Sequence, residues 1–155
     1  MPLPAGRPGS LFLCGKHAIA PDAEAVIESI GATTVVCLTE RHELSDRYPA
    51  YVTWLDANNG DRALWMPVPD LHAPSVDDVE RLLADVRMRL DRGGTVLVHC
   101  AAGIGRAGTM AACLLITMGM AADAALAHVA AHRPMAGPEV GAQRMLVDTI
   151  AARAR

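Results

Sequence analysis

The sequence predicts a single α/β domain, built on a mainly parallel central sheet with helices on both faces. Two patterns and a length predict it. Short runs rich in β-branched residues alternate with longer segments whose apolar residues recur at helical spacing. Those runs are nearly continuous in apolar character, as strands buried on both faces require. The chain has 155 residues, and one domain of that size buries about 68–70% of its unfolded surface.

Residues 1–10, MPLPAGRPGS, are dense in Pro and Gly and predict a flexible tail, leaving 11–155 as the folded domain. LFLCG (11–15) reads as a short strand. Pro21-Asp22 opens a helix with Val26, Ile27 and Ile30 on one face, and Gly31 stops it. TTVVCL (33–38) is a buried strand. Residues 40–62 are charged and turn-rich, with YPAYVTWLDA as a short amphipathic helix. ALWMPV (63–68) is a third strand and PDLHAP (69–74) a loop. Ser75 and Asp78 are spaced as a capping box. Val79, Leu82, Leu83, Val86 and Leu90 follow at helical spacing until Gly93-Gly94. TVLVH (95–99) is a fourth strand, followed by a glycine-punctuated turn. Helices over about 106–119, 121–132 and 138–153 complete the chain. In parallel sheets ligands bind beyond the carboxyl ends of strands, which puts the turn after TVLVH at the binding edge.

Charge and composition exclude several function classes. A net charge of −3 and only five aromatic residues exclude a nucleic-acid binder. The four cysteines lie far apart with no CxxC, which excludes a zinc ribbon or a dense disulfide framework. The first ten residues lack the apolar stretch of a signal peptide. The longest uncharged apolar run, Ala107 to Ala122, is 16 residues, short of the roughly 20 that span a bilayer. A cytoplasmic protein without a membrane segment is expected. One lysine against thirteen arginines, with 28 alanines, reads as a G+C-rich bacterial genome.

The chemistry concentrates in His99–Thr109, HCAAGIGRAGT. Cys100 stands where a buried strand ends and a helix begins. Successive backbone N–H groups at a helix N-terminus form an anion-binding nest. Gly103 and Gly105 let that loop take positive φ and let an anion come close. Arg106 offers a planar fork for two phosphate oxygens. A cysteine in that positive field ionises readily, and the thiolate is the nucleophile. The segment therefore reads as a phosphate cradle, residues 101–106, over a thiolate.

This segment resembles the Cys-x5-Arg signature of the protein-tyrosine and dual-specificity phosphatase superfamily. VVCLTERHEL (35–44), PVPDLHAPS (67–75), VLVHCAAGIGRAGT (96–109) and HRPMAGPEVGAQ (132–143) follow in that family's order. Most of residues 33–147 is covered, and the likeness is greatest to the group of the cyclin-dependent kinase-associated phosphatase. The resemblance implies a protein-tyrosine-phosphatase-like fold and hydrolysis of phosphotyrosine in proteins, with phosphoserine and phosphothreonine as alternatives. It implies that Cys100 attacks phosphorus to form a cysteinyl-phosphate. Arg106 and the amides of Ala101, Ala102, Gly103, Ile104 and Gly105 would hold the equatorial oxygens. His99 would orient the loop and help keep Cys100 ionised. Asp70 would protonate the leaving oxygen and then activate water. Gln143 is placed where some members keep a glutamine that positions water. In relatives a cysteine near Cys37 pairs with the nucleophile; here a buried apolar thiol is the favoured reading. No cofactor or metal is implied, and phosphate or sulfate is expected to occupy the loop.

One position departs from the family. The residue after the arginine is usually Ser or Thr, whose hydroxyl supports the departing sulfur, and here it is Ala107. Thr109 lies two residues further along and is expected to face elsewhere. Asp56 and Asp61 compete with Asp70 as loop carboxylates, but only Asp70 lies directly beyond a strand and before a capped helix. His72, beside Asp70, reads as a solvated loop residue. His128 and His132 are four apart but lack the Glu of HExxH, and read as surface histidines. Two further readings stand beside a phosphatase. A phospho-binding module with little turnover would follow from Ala107. A rhodanese-like sulfurtransferase also cradles an anion around a cysteine, but the motif spacing and Asp70 disfavour it. Ala101, Ala102 and Ile104 add no charge to the loop, which favours a singly phosphorylated substrate.

Overall fold

The computed structural model describes residues 1–154. Four strands form one parallel sheet in the order β1-β4-β2-β3: β1 Ser10–Gly15, β2 Thr34–Cys37, β3 Ala63–Trp65 and β4 Thr95–Cys100. β4 lies between β1 and β2, in register from Ser10↔Thr95 to Gly15↔Cys100 on one side and from Thr34↔Val96 to Cys37↔His99 on the other. Flanked on both edges and covered on both faces, its residues from Val96 to Cys100 are buried. That explains the unbroken β-branched run in the sequence.

The helices are α1 Lys16–Ile19, α2 Ala23–Ile30, α3 His42–Ser45, α4 Pro49–Asn58, α5 Val76–Asp91, α6 Gly105–Thr117, α7 Ala122–His132 and α8 Gly141–Arg153. One face of the sheet presents Leu11, Val36, Val96 and Val98 to Val79, Leu83, Leu114 and Val147 of α5, α6 and α8. The other presents Val35, Cys37 and Leu97 to Ile19, Ile27, Tyr51 and Leu55 of α1, α2 and α4. Burying each such Leu or Ile contributes about 1.5–3 kcal/mol.

The punctuation residues act where the sequence places them. Asp22 accepts a hydrogen bond from the amide of Ala25, and Gly31 ends α2 in the left-handed conformation. Ser75 caps α5 by accepting from the amide of Asp78 at 3.2 Å, and its hydroxyl donates to the Asp78 carboxylate in place of the backbone bond of a full capping box.

Met1 and Leu3 lie against the main core, the terminal ammonium donates to the Leu11 carbonyl, and Ser10 opens β1. Three features differ from the sequence expectation. The third strand ends at Trp65, because Pro67 has no N–H for a ladder; Met66 and Val68 still donate to Cys37 and Leu38. α8 starts at Gly141 instead of 138. The residues before it are drawn onto the cradle, where Gly137 donates to the Ile104 carbonyl at 3.2 Å. α1 and α3 have four residues each, too few to show a periodicity. Among the described residues no helix is long and apolar enough to cross a membrane.

Candidate active site

The cradle is residues 101–106, between the end of β4 and the start of α6. Its carbonyls are all engaged from outside. The amide of Lys16 donates to Ala101 at 3.0 Å. Arg133 donates to Ala102 and Gly103 at 2.7 and 2.6 Å. Gly137 and Gly108 donate to Ile104. In a trans peptide each carbonyl is antiparallel to the following N–H. Tying carbonyls 101–104 outward therefore turns the amides of residues 102–105 towards the concave side. Gly103 has φ +74°, and a Cβ there would stand 2.3 Å from the Cys14 backbone, so no other residue fits without moving β1.

Arg106 is 4% exposed and its donors are nearly all assigned. Nη1 donates to Glu43 and to the Val68 carbonyl, both at 2.7 Å. Nη2 donates to the second Glu43 oxygen at 2.9 Å and lies 3.2 Å from Oδ1 of Asp70. That leaves the Nε–Nη2 edge to take an oxyanion once Asp70 yields its place. Glu43 is held in turn by the Glu40 amide at 2.9 Å, and its carbonyl accepts from Lys16 Nζ at 2.8 Å. Burial pushes its carboxyl upward, but the Arg106 fork and the Glu40 amide outweigh this and leave it below the usual range. Sequence reasoning missed Glu43. Its only signal was a charge inside VVCLTERHEL, indistinguishable there from a solvated one.

Cys100 is 3% exposed and closes β4. His99 points to the opposite face of the sheet. Its Nδ1 contacts the Cys100 carbonyl at 3.4 Å, and its Nε2 lies 2.6 Å from the Tyr51 hydroxyl. A carbonyl only accepts, so Nδ1 carries the proton and Tyr51 donates to Nε2. Burial pushes His99 down to about 4, so the ring is neutral and acts by its N–H rather than by a charge. Tyr51, from α4, fixes this ring by that hydrogen bond, and no motif announced it.

The remaining expected residues are placed as follows. Asp70 sits at the tip of the loop between β3 and α5, with its side chain two-thirds exposed and facing Arg106. The next residue, Leu71, holds φ +59°. Asp56 instead pairs with Arg41, and Asp61 lies in a surface turn. Gln143 is buried, and both ends of its amide are engaged. Oε1 accepts from the Glu139 amide at 2.8 Å, and Nε2 donates to the His72 carbonyl at 3.2 Å. The Glu139 carboxylate lies against Gly105, where a Cβ would stand 1.9 Å from Oε2. Ala107 is fully buried in the core that contains Cys100. Cys37 registers with His99 and shares its face, whereas Cys100 belongs to the opposite core. A disulfide needs converging Cβ vectors, so this packing supports the buried-thiol reading. Burial pushes the Cys37 thiol up to about 12. The His128 and His132 rings lie tilted against each other on α7, their centroids 4.4 Å apart, and donate to the carbonyls of Pro2 and His128.

A cysteine and arginine bracketing an outward-tied loop, under a carboxylate-bearing loop and on a parallel sheet, define the class of dual-specificity and protein-tyrosine phosphatase domains. The chain belongs to one family of that class: the PTP-SAK family, described as a Swiss Army Knife protein, DSP-PTPase phosphatase domain, matches residues 7–151. A cyclin-dependent kinase inhibitor 3 from Sus scrofa is 29% identical over 109 residues, 70% of this chain. The chain spans about half the length of that curated relative. Among solved structures, Tk-PTP in its active form aligns with a TM-score of 0.71 and 27% identity, over 94% of this chain and 93% of that one. A kinase-associated phosphatase with serine replacing its catalytic-site cysteine aligns with a TM-score of 0.72 over 92% and 85% of the two chains. At 21% identity that likeness concerns the fold.

Proposed function

We propose that this protein is a cysteine-dependent phosphomonoesterase that acts on phosphotyrosine in proteins through a cysteinyl-phosphate. The observation that carries the reading is the cradle. Four consecutive carbonyls are tied outward, and the Nε–Nη2 edge of Arg106 stands next to the Asp70 carboxylate. Phosphate oxygens bind the amides and that edge, displacing Asp70 from Nη2. The Cys100 thiolate forms the S–P bond as the P–O bond to the leaving group breaks. Asp70, acting in its acid form, gives its proton to the departing oxygen and is left as the carboxylate. Water then attacks phosphorus, its proton passes to Asp70, and the S–P bond breaks to return thiolate and inorganic phosphate. Arg106 and the amides stabilise the equatorial oxygens through both steps.

Ala101, Ala102 and Ile104 leave the cradle without further positive charge, which favours a single phosphate group on the substrate. The four free thiols fit a reducing, cytoplasmic setting. Hydrolysis of p-nitrophenyl phosphate and of phosphotyrosine, phosphoserine and phosphothreonine peptides tests the reading. Cys100→Ser is expected to abolish turnover while still binding phosphopeptide. Turnover retained in that variant refutes the covalent route. A phosphoserine peptide cleaved faster than its phosphotyrosine counterpart refutes the substrate preference.

A further inference from the structure

Thr109 stands out among the helical threonines. Thr53, Thr117 and Thr149 each donate to a carbonyl three or four residues back in their own helix. Thr109, also within a helix, does not. It is 3% exposed, and its hydroxyl has no hydrogen-bond partner among the described residues. Valine would fill the same volume and avoid the cost of burying an unbonded hydroxyl. The side chain lines a narrow cavity one helical turn beyond Arg106. Opposite it are His72, Ala73 and Pro74 of the Asp70 loop, and Gln143 is a further wall. The cavity is about 10 Å³, close to the space that one water needs. A water there has polar partners within the same walls. These are the Thr109 hydroxyl, the spare N–H of the Gln143 amide and the backbone of the loop. Arg106 lines the cavity as well, and the remaining lining groups, Leu38, Val68, Met110 and Leu146, offer only apolar side chains.

We infer that Thr109 is a positioning residue for the Asp70 loop, acting through one buried water that ties α6 to that loop. The Gln143–His72 hydrogen bond is one direct link between loop and body, beside those from Arg106 to Val68 and Asp70. The Thr109 water adds a further link on the same side as Gln143, and together they hold Asp70 over the cradle. The inference rests on the reading of Asp70 as the proton donor. It separates Thr109 from Ala107, since the hydroxyl serves the first chemical step and does not stand in for the missing hydroxyl beside the sulfur.

Two measurements on Thr109→Val and Thr109→Ser test it, with Asp70→Asn as reference. The first is thermal melting. If the hydroxyl holds a water, Thr109→Val melts below wild type and Thr109→Ser recovers most of the loss. If the hydroxyl is unbonded, valine melts at or above wild type, which overturns the inference. The second is the kcat/KM ratio, which reports the first chemical step, between phenyl phosphate, whose leaving group needs a proton, and a dinitrophenyl phosphate, whose leaving group does not. Thr109→Val is expected to lower this ratio about three- to tenfold, in the direction of Asp70→Asn, with rescue by serine. An equal loss on both substrates, or no rescue by serine, overturns the positioning role. If Asp70→Asn itself leaves the ratio unchanged, the proton-donor reading fails and this inference falls with it. If Asp70→Asn lowers the ratio and Thr109→Val does not, only the inference fails.

Discussion

Replacing Glu43 by alanine removes the carboxylate that holds the Arg106 fork. The Arg106 side chain is 2% exposed and that of Glu43 14%, so the pair is shielded and solvent cannot replace the lost partner. Breaking such a pair from one side costs about 3–5 kcal/mol, because the remaining charge stays buried. At roughly 2–4 °C per kcal/mol for a domain of this size, melting should fall by roughly 6–20 °C. A second consequence follows from geometry. Glu43 takes the Nη1–Nη2 end and thereby presents Nε–Nη2 to phosphate. Without it the guanidinium swings, and a misplacement of about 1 Å can cost about a hundredfold in rate. Both kcat/KM and melting should therefore drop. Adding sulfate should recover more melting temperature in Glu43→Ala than in wild type, because the oxyanion supplies the missing negative charge. The pH dependence has a definite sign. Glu43 is depressed below its ordinary 4.5, so its contribution is present above that value and lost as pH falls through the folded value. The melting gap between wild type and variant should close in acid. A variant with kcat/KM within twofold of wild type, or a melting gap that neither sulfate nor acid alters, refutes the assignment.

The remaining predictions concern the cradle itself. Gly103→Ala should abolish activity and lower stability, since its Cβ would stand 2.3 Å from the Cys14 backbone; activity near wild type would show that β1 yields. Ala107→Ser restores a hydroxyl for the sulfur as it leaves the cysteinyl-phosphate, a bond worth about 1.5–3 kcal/mol to a charged partner. Breakdown in wild type should be about ten- to a hundredfold slower than with serine. Stopped-flow with a nitrophenyl phosphate should show a burst near one equivalent that shrinks in Ala107→Ser. No burst and an unchanged kcat would place the slow step elsewhere.

The chemistry of this site is local, and the local part was legible. HCAAGIGRAGT places nucleophile, cradle glycines and arginine within one turn, where strand-to-helix geometry leaves few alternatives. The strands read easily because a central parallel sheet needs unbroken apolar runs, and α5 because its cap and period agree. Chain order singles out Asp70, between a strand and a capped helix, and the fold places its carboxylate 3.2 Å from Arg106.

Tertiary structure decided which distant groups meet these residues. Glu43 and Lys16 arrive from short α3 and α1, and Tyr51 from α4. Arg133 and Gly137 come from the loop before α8. None carries a local signature, since a carboxylate on a solvated turn and one clamped on a buried guanidinium look alike in sequence. Thr109 carries no local signal of a role, and packing of α6 against the Asp70 loop makes it part of the wall of the cavity beneath that loop. The sequence by itself determined the Cys100–Arg106 loop and the sheet that carries it, because both depend on neighbours in the chain. Only the fold decided how the arginine is aimed, how the loop carbonyls are tied and what supports the acid loop. Those depend on contacts between segments tens of residues apart, which residue order alone does not encode.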